Sequence, residues 1–294
     1  MISKAVIPAA GLGTRLLPAT KSQPKEMLPI VDRPAIQYVV EEAIDSGIRD
    51  LLIITGRGKR SLEDHFDRSV ELESFLMAKA DNDMLAVLRE IADGADFFYI
   101  RQREPKGLGH AVSCARRHVA NEPFAVMLGD DIFVSEPPAL AQMIDFYERQ
   151  PGIIIAIQEV PAAQTRLYGI VSGEAVSDTV FRVNDLVEKP DVDKAPSNLA
   201  IVGRYIFPPQ IFEALDQTAA DSRGEIQLTD AIRKLTNDVP VYGYRFAGKR
   251  YDIGSRLSYL TTNIELALER PDLRDDLLAF LRELIGEKLP SSLT

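Results

Sequence analysis

The 294-residue chain contains one cysteine, Cys114, so neither an intrachain disulfide framework nor a cysteine-built zinc site can hold it together. No apolar run reaches the roughly 18–20 residues that a transmembrane helix needs. Basic residues are in deficit, 34 Lys+Arg against 44 Asp+Glu, for a formal net charge of −10. That deficit excludes a nonspecific nucleic-acid binder and a binder of anionic membranes, since both need a basic surface. Internal repeats, low-complexity tracts and obvious linkers are missing as well. The strand-like Val6-Ile7 follows so closely on Met1 that no signal peptide is expected. These exclusions leave a soluble cytoplasmic protein as the expectation, and 46% hydrophobic with 27% charged residues is an ordinary globular balance.

What is present is alternation. Short apolar runs such as Leu51–Ile54, Phe97–Ile100, Phe124–Leu128 and Ile153–Ile157 lack a polar side, as strands covered on both faces do. Between them lie amphipathic stretches, one opening at Pro34 and stopping at Gly47, another starting near Gly107. Strand, helix, strand in repeated order predicts an α/β fold with a Rossmann-like, doubly wound sheet. After Val160 the connections shorten, with strands expected near Ile170-Val171, Val180–Val187 and Ile201–Phe207, so the sheet is expected to be mixed. Residues 1–294 read as one domain, of which 256–294 is a helical tail, with helices expected at Arg256–Glu269 and Leu273–Leu289.

The first strand runs into Ala9-Ala10-Gly11-Leu12-Gly13-Thr14-Arg15. Glycines after a strand let backbone N–H groups approach a phosphate closely, although an ordinary tight turn has the same composition. It is not the dinucleotide fingerprint, which needs glycine where Leu16 stands, nor a Walker A loop. Residues 1–30 hold Lys4, Arg15, Lys21 and Lys25 against the single acid Glu26, a local +3 inside a −10 chain. With Pro18, Pro24 and Pro29 shaping the segment, this reads as a polyphosphate cradle or a solvated basic loop. Gly129-Asp130-Asp131 ends the Phe124–Leu128 strand, where a carboxylate pair suits a hard cation, or is an exposed turn. His65 and His118, in polar helical stretches, are expected to be solvent-exposed. His110 is expected near a phosphate or in a structural role, and Cys114 in the core.

Taken in order, Ala9–Pro18 with Pro24-Lys25-Glu26-Met27-Leu28-Pro29 resembles the opening of the sugar-1-phosphate nucleotidylyltransferases, and among them the bacterial uridylyltransferases. The resemblance continues through Ile36-Gln37-Tyr38, Lys106–Ala111, Tyr168-Gly169-Ile170, Val187-Glu188-Lys189-Pro190, Val202-Gly203-Arg204-Tyr205, Gly224–Asp230 and Tyr251-Asp252-Ile253-Gly254. It spans about residues 1–270. It implies the nucleotide-diphospho-sugar transferase fold and Mg²⁺-dependent transfer of UMP from UTP to glucose 1-phosphate, giving UDP-glucose and pyrophosphate. A homodimer or homotetramer is implied too.

By this resemblance Arg15, Lys25, Asp130 and Lys189 are the catalytic set, and Asp130 with Asp252 holds the metal. Ala10, Gly11, Gly13, Thr14, Glu26, Gln102, Gly107 and Asp131 would meet the nucleotide, while Gly169, Glu188, Lys189 and Gly203 would meet the sugar phosphate. Residues alone leave Gln102 and the Glu188-Lys189 pair as ordinary surface polar groups. Leu128-Gly129-Asp130 stands where many uridylyltransferases read Leu-Pro-Asp, a change that keeps a thymidylyltransferase in view. A catalytically silent regulatory paralogue would have lost some of Arg15, Lys25, Asp130, Glu188, Lys189 or Asp252, and all six are present. A phosphate monoester, with a second pKa near 6, needs no general base to attack.

Overall fold

Leu51, Leu52, Ile53 and Ile54 are all fully buried, because they alternate between two cores. Leu52 and Ile54 pack with Val6 and Val126, while Leu51 and Ile53 pack with Ile7, Val39 and Val40. A strand with a core on each face has no polar side to show. The computed structural model describes residues 1–288, so Leu289 and the rest of the expected tail lie outside the described residues.

The strands are β1 (Lys4–Pro8), β2 (Pro29–Ile30), β3 (Arg33–Pro34), β4 (Asp50–Thr55), β5 (Asp96–Arg101), β6 (Phe124–Met127) and β7 (Asp131–Val134). In the second half come β8 (Ile153–Glu159), β9 (Gly169–Ala175), β10 (Val180–Glu188), β11 (Leu199–Phe207), β12 (Val241–Tyr244) and β13 (Lys249–Asp252). The main sheet runs β5-β4-β1-β6-β11-β8-β12-β10-β9. β1 is parallel to β4 and β6, and β4 to β5. β11 is antiparallel to both β6 and β8, which makes the sheet mixed, as expected. The chain builds outward from β1 through β4 to β5, then returns to lay β6 on the other side of β1. The carboxyl ends of β1 and β6 therefore flank a topological switch point, where open α/β sheets bind ligands.

The connections carry α1 (Ala35–Asp45), α2 (Arg60–Phe66), α3 (Val70–Lys79), α4 (Asn82–Asp93), α5 (Gly107–Ser113), α6 (Arg116–Val119), α7 (Ala139–Arg149), α8 (Ile211–Asp216) and α9 (Leu228–Leu235). After the last strand come α10 (Arg256–Glu269) and α11 (Arg274–Lys288). Apolar residues of α1, α2 and α7 cover one face of the sheet, and those of α5, α6, α8 and α9 the other. A separate ribbon pairs β7 with β13 and sets Asp131 directly opposite Asp252. Among the described residues no helix is long and apolar enough to cross a membrane.

Two histidine expectations are corrected. His65 is half-buried with its Nε2 3.1 Å from Gln37 Oε1, and His118 is half-buried with its Nε2 2.6 Å from Asp50 Oδ1. Each helix stretch looked polar in isolation, but tertiary packing supplies a side-chain partner from another element. Cys114 is half-buried against the core, with its thiol donating to the His110 carbonyl.

Candidate active site

The glycine turn is a shaped loop. Gly13 adopts φ 65°, in the left-handed region, and a Cβ there would press on Thr20 Cγ2 and Lys25 Cβ, each 3.2 Å away. The Thr20 hydroxyl donates to the Gly13 carbonyl at 2.8 Å, and three short 3-10 turns, Thr14–Leu16, Ala19–Lys21 and Lys25–Met27, fold the segment back on itself. Lys25 thereby returns beneath Gly11, whose missing Cβ would sit 3.8 Å from Lys25 Cε. Ala10 is half-buried at the exit of β1, whereas Thr14 and Arg15 are exposed.

Lys25 pairs through its ammonium with the Asp130 carboxylate, just past the end of β6. Burial works against both charges. The partnership outweighs it, holding Lys25 above the ordinary lysine value and Asp130 below the ordinary carboxylate value, with Glu26 and Arg15 assisting respectively. Arg15 reaches across to Gly254, where a Cβ would lie 2.8 Å from both its Nη2 and Asp252 Oδ1. Asp252 Oδ1 accepts from the Gly254 N–H at 2.7 Å, and its Oδ2 accepts from the Tyr168 hydroxyl at 3.3 Å. The Ile253 N–H donates to the Asp130 carbonyl at 3.2 Å, so the two expected metal carboxylates sit on hydrogen-bonded backbone. Arg15, Lys25, Asp130 and Asp252 thus gather at the switch point.

Asp131 turns elsewhere. It is buried, its Oδ1 accepts from Arg250 Nε at 2.7 Å, and burial, with Asp130 and Asp252 nearby, raises its pKa to about 6 against the opposing pull of Arg250. Gly203 leaves room for this carboxylate, since a Cβ there would collide with Asp131 Oδ2. The register of β11 shifts between Ile201 and Tyr205, a bulge that re-aims the strand at this glycine.

Sequence reasoning gave Arg204 no role of its own. Its side chain is fully buried, and its guanidinium donates twice to Glu42 Oε2, at 3.0 and 2.6 Å. It also donates to the carbonyls of Asp131 at 2.9 Å, Gly203 at 2.9 Å and Leu128 at 3.4 Å. One side chain therefore ties both shoulders of the turn that carries Asp130. The available signal was an arginine inside the apolar run Ala200–Phe207, a charge that needs buried partners. Lys59 was missed too. It lies on the loop after β4 and pairs at 2.8 Å with Glu26, whose burial raises its pKa against the pull of Lys25 and Lys59.

The remaining expected residues form two flanks. On one, Gln102 follows β5, with its amide nitrogen 3.1 Å from the Gly107 carbonyl and 2.9 Å from His110 Nδ1. On the other, Glu188 ends β10 and accepts from the Thr229 hydroxyl at 2.7 Å, while Lys189 pairs with it at 2.9 Å. Gly169 lies against this carboxylate, its missing Cβ 3.3 Å from Glu188 Oε2. The backbone of Ile226 joins the Lys106–His110 segment, accepting from the Gly109 N–H at 2.9 Å and donating to the Lys106 carbonyl at 2.8 Å. Sequence pieces far apart in the chain thus come together, Gln102 through the Lys106–His110 segment to Ile226, and Glu188 through Thr229 on α9.

Asp130 and Asp252 offer hard oxygen donors, and among the described residues no group of three or more His, Cys, Asp or Glu side chains forms a metal cage. Two carboxylates fit a magnesium ion, which keeps waters and takes substrate phosphates as further ligands.

The family model of the nucleotidyl transferases matches residues 4–269. A Bacillus subtilis protein named UTP–glucose-1-phosphate uridylyltransferase is 51% identical over 287 residues, covering 98% of this chain and 98% of its own. Among solved structures, a UDP-glucose pyrophosphorylase complexed with UDP-glucose is similar at TM-score 0.85 and 45% identity, covering 92% of this chain and 100% of that one. A UTP-bound UGPase from Acinetobacter baumannii is similar at TM-score 0.88 and 41% identity, covering 98% of this chain and 100% of its own.

Proposed function

The chain belongs to the nucleotidyl transferase family, and from that premise we propose that it transfers UMP from UTP to glucose 1-phosphate, forming UDP-glucose and pyrophosphate. The observation that carries this reading is the meeting of Arg15, Lys25, Asp130 and Asp252 at the switch point beside the glycine turn. A phosphate oxygen of glucose 1-phosphate attacks the α-phosphorus of UTP; the bond from that phosphorus to the bridging oxygen breaks, and pyrophosphate leaves with the electron pair. The attacking group is largely a dianion near pH 7, so no side chain has to remove a proton. The obstacle is bringing two polyanions together, and catalysis is positioning with charge neutralisation.

Lys25 and Arg15 neutralise the UTP phosphates and the departing pyrophosphate. Lys189 binds the phosphate of the sugar, and Glu188 accepts from the hexose hydroxyls. Gln102 and the Gly107 backbone meet the base. Asp130 and Asp252 would hold a magnesium ion, which when bound supplies positive charge at the reacting phosphates. Asp131, paired with Arg250, anchors the turn beside Asp130. The whole chain acts as one domain, in the cytoplasm, and assembles as a homodimer or homotetramer through the tail from residue 256 onward.

Pyrophosphate release measured with UTP, dTTP, CTP and ATP, each against a panel of sugar 1-phosphates, tests the reading. UTP with glucose 1-phosphate should give the highest kcat/KM. A clear preference for dTTP, or sugar transfer without pyrophosphate release, would overturn it.

A further inference from the structure

The amide of Gln102 has two different ends, and its surroundings fix which end faces where. The Gly107 carbonyl can only accept, so the atom 3.1 Å from it is the amide nitrogen. The same nitrogen lies 2.9 Å from His110 Nδ1. A primary amide nitrogen carries two hydrogens, and both are used here. His110 Nδ1 must therefore accept, with the imidazole neutral and its proton on Nε2. The carbonyl end of Gln102 is left over. Among the described residues it accepts no hydrogen bond, and it is not among the fully sealed polar atoms left without a partner, although the residue is only 7% exposed. The amide thus keeps one fixed acceptor, its carbonyl oxygen, without a protein partner among the described residues.

Resting on the uridylyl-transfer reading above, we propose that His110 is a positioning residue for base selection: it locks the Gln102 amide so that an oxygen, not an NH₂ group, meets the base. A fixed acceptor pairs with the N3–H of uracil. Cytosine offers a bare N3 lone pair at the same place, and two acceptors repel. Discrimination of this kind is steep because a buried polar group is left unpaired by the wrong ligand. His110 does not touch the base; it sets the orientation of the group that does. The backbone here is held independently, by the Gly109 N–H donating to Ile226 and the Ile226 N–H donating to Lys106, so the side chain can be changed without releasing the loop.

The test is kcat/KM for UTP and for CTP, by pyrophosphate release with glucose 1-phosphate, in the wild type, His110→Ala and His110→Asn. Alanine removes one of the two acceptors. Asparagine can offer its Oδ1 close to where Nδ1 sat. The UTP-to-CTP ratio should fall about three- to ten-fold in His110→Ala, the span of one neutral hydrogen bond. The loss should appear as a raised KM for UTP with kcat retained, and His110→Asn should restore the ratio. An unchanged ratio in His110→Ala, equal losses for both nucleotides, or a loss that asparagine fails to restore would each overturn the proposal. A wild type that prefers CTP would sink the uridylyl reading and the proposal with it, whereas a wild type that prefers UTP by a ratio His110→Ala leaves unchanged sinks the proposal alone.

Discussion

Lys25 pairs with Asp130 and, in the proposed reaction, would also meet the substrate phosphates. With side chains 17% and 20% exposed, it and Asp130 are too deep for either charge to stand alone and too open for the pair to be sealed. Each holds the other ionised against burial. Lys25→Met should therefore lower kcat by about 10²–10³-fold, the usual loss when a positioned charge stabiliser is removed. The accompanying loss of stability should stay below the about 3–5 kcal/mol of breaking a fully buried pair, because water reaches the orphaned Asp130. Turnover by pyrophosphate release and unfolding by denaturant read the two effects separately. Turnover within ten-fold of wild type would remove Lys25 from the phosphate site. The place of Lys25 beside the glycine turn was legible in the sequence because its context is local: glycines, prolines and a run of basic groups within thirty positions.

At the scale of elements, what could be read was what is local. Both faces of β4 and β6 are covered, so their sequences are continuous apolar runs and announce themselves. The insertion of β11 between β6 and β8 left no such mark, since pairing Tyr205 with Val126 and Ile155 joins segments distant in the chain. For the same reason Asp130 and Asp252 could be joined by resemblance but not from spacing. The Arg204–Glu42 pair belongs here because it bolts elements together. Arg204 comes from β11 and Glu42 from α1, and Glu42 Oε1 accepts the Leu140 N–H at 3.1 Å in the first turn of α7. With side chains 0% and 4% exposed, the pair is sealed. Arg204→Leu should cost about 3–5 kcal/mol, because it strands a buried carboxylate. Arg204→Leu combined with Glu42→Leu should recover much of that loss in denaturant unfolding, as buried ion pairs replaced by apolar groups generally do. Activity should stay low in both, because the carbonyls of Leu128 and Asp131 lose the donor that fixes the turn under Asp130. A double variant as unstable as the sum of its singles would sink this account.

Over the whole molecule, a net charge of −10 hides a basic patch at the glycine turn and an apolar one on α10. The inner side of α10 is fully engaged: Leu266 is buried, the Tyr259 hydroxyl donates to the Pro29 carbonyl at 2.7 Å, and Asn263 accepts from the Val31 N–H at 2.9 Å. Its other side shows Leu257, 72% exposed, with Leu260 and Ile264 exposed three and seven positions later, on one helical face. Apolar residues at that spacing on a helix already docked by its opposite side fit a second copy better than open water. The same helix touches the glycine loop, since Arg256 donates to the Leu17 carbonyl at 2.9 Å. Assembly through α10 would therefore steady the glycine loop. Leu257→Glu with Leu260→Glu should lower the molar mass seen by light scattering after gel filtration, and should raise KM for UTP while the unfolding midpoint moves little. Both leucines are largely exposed, so a large fall in stability would show them to be core, and an unchanged molar mass would overturn assembly through α10.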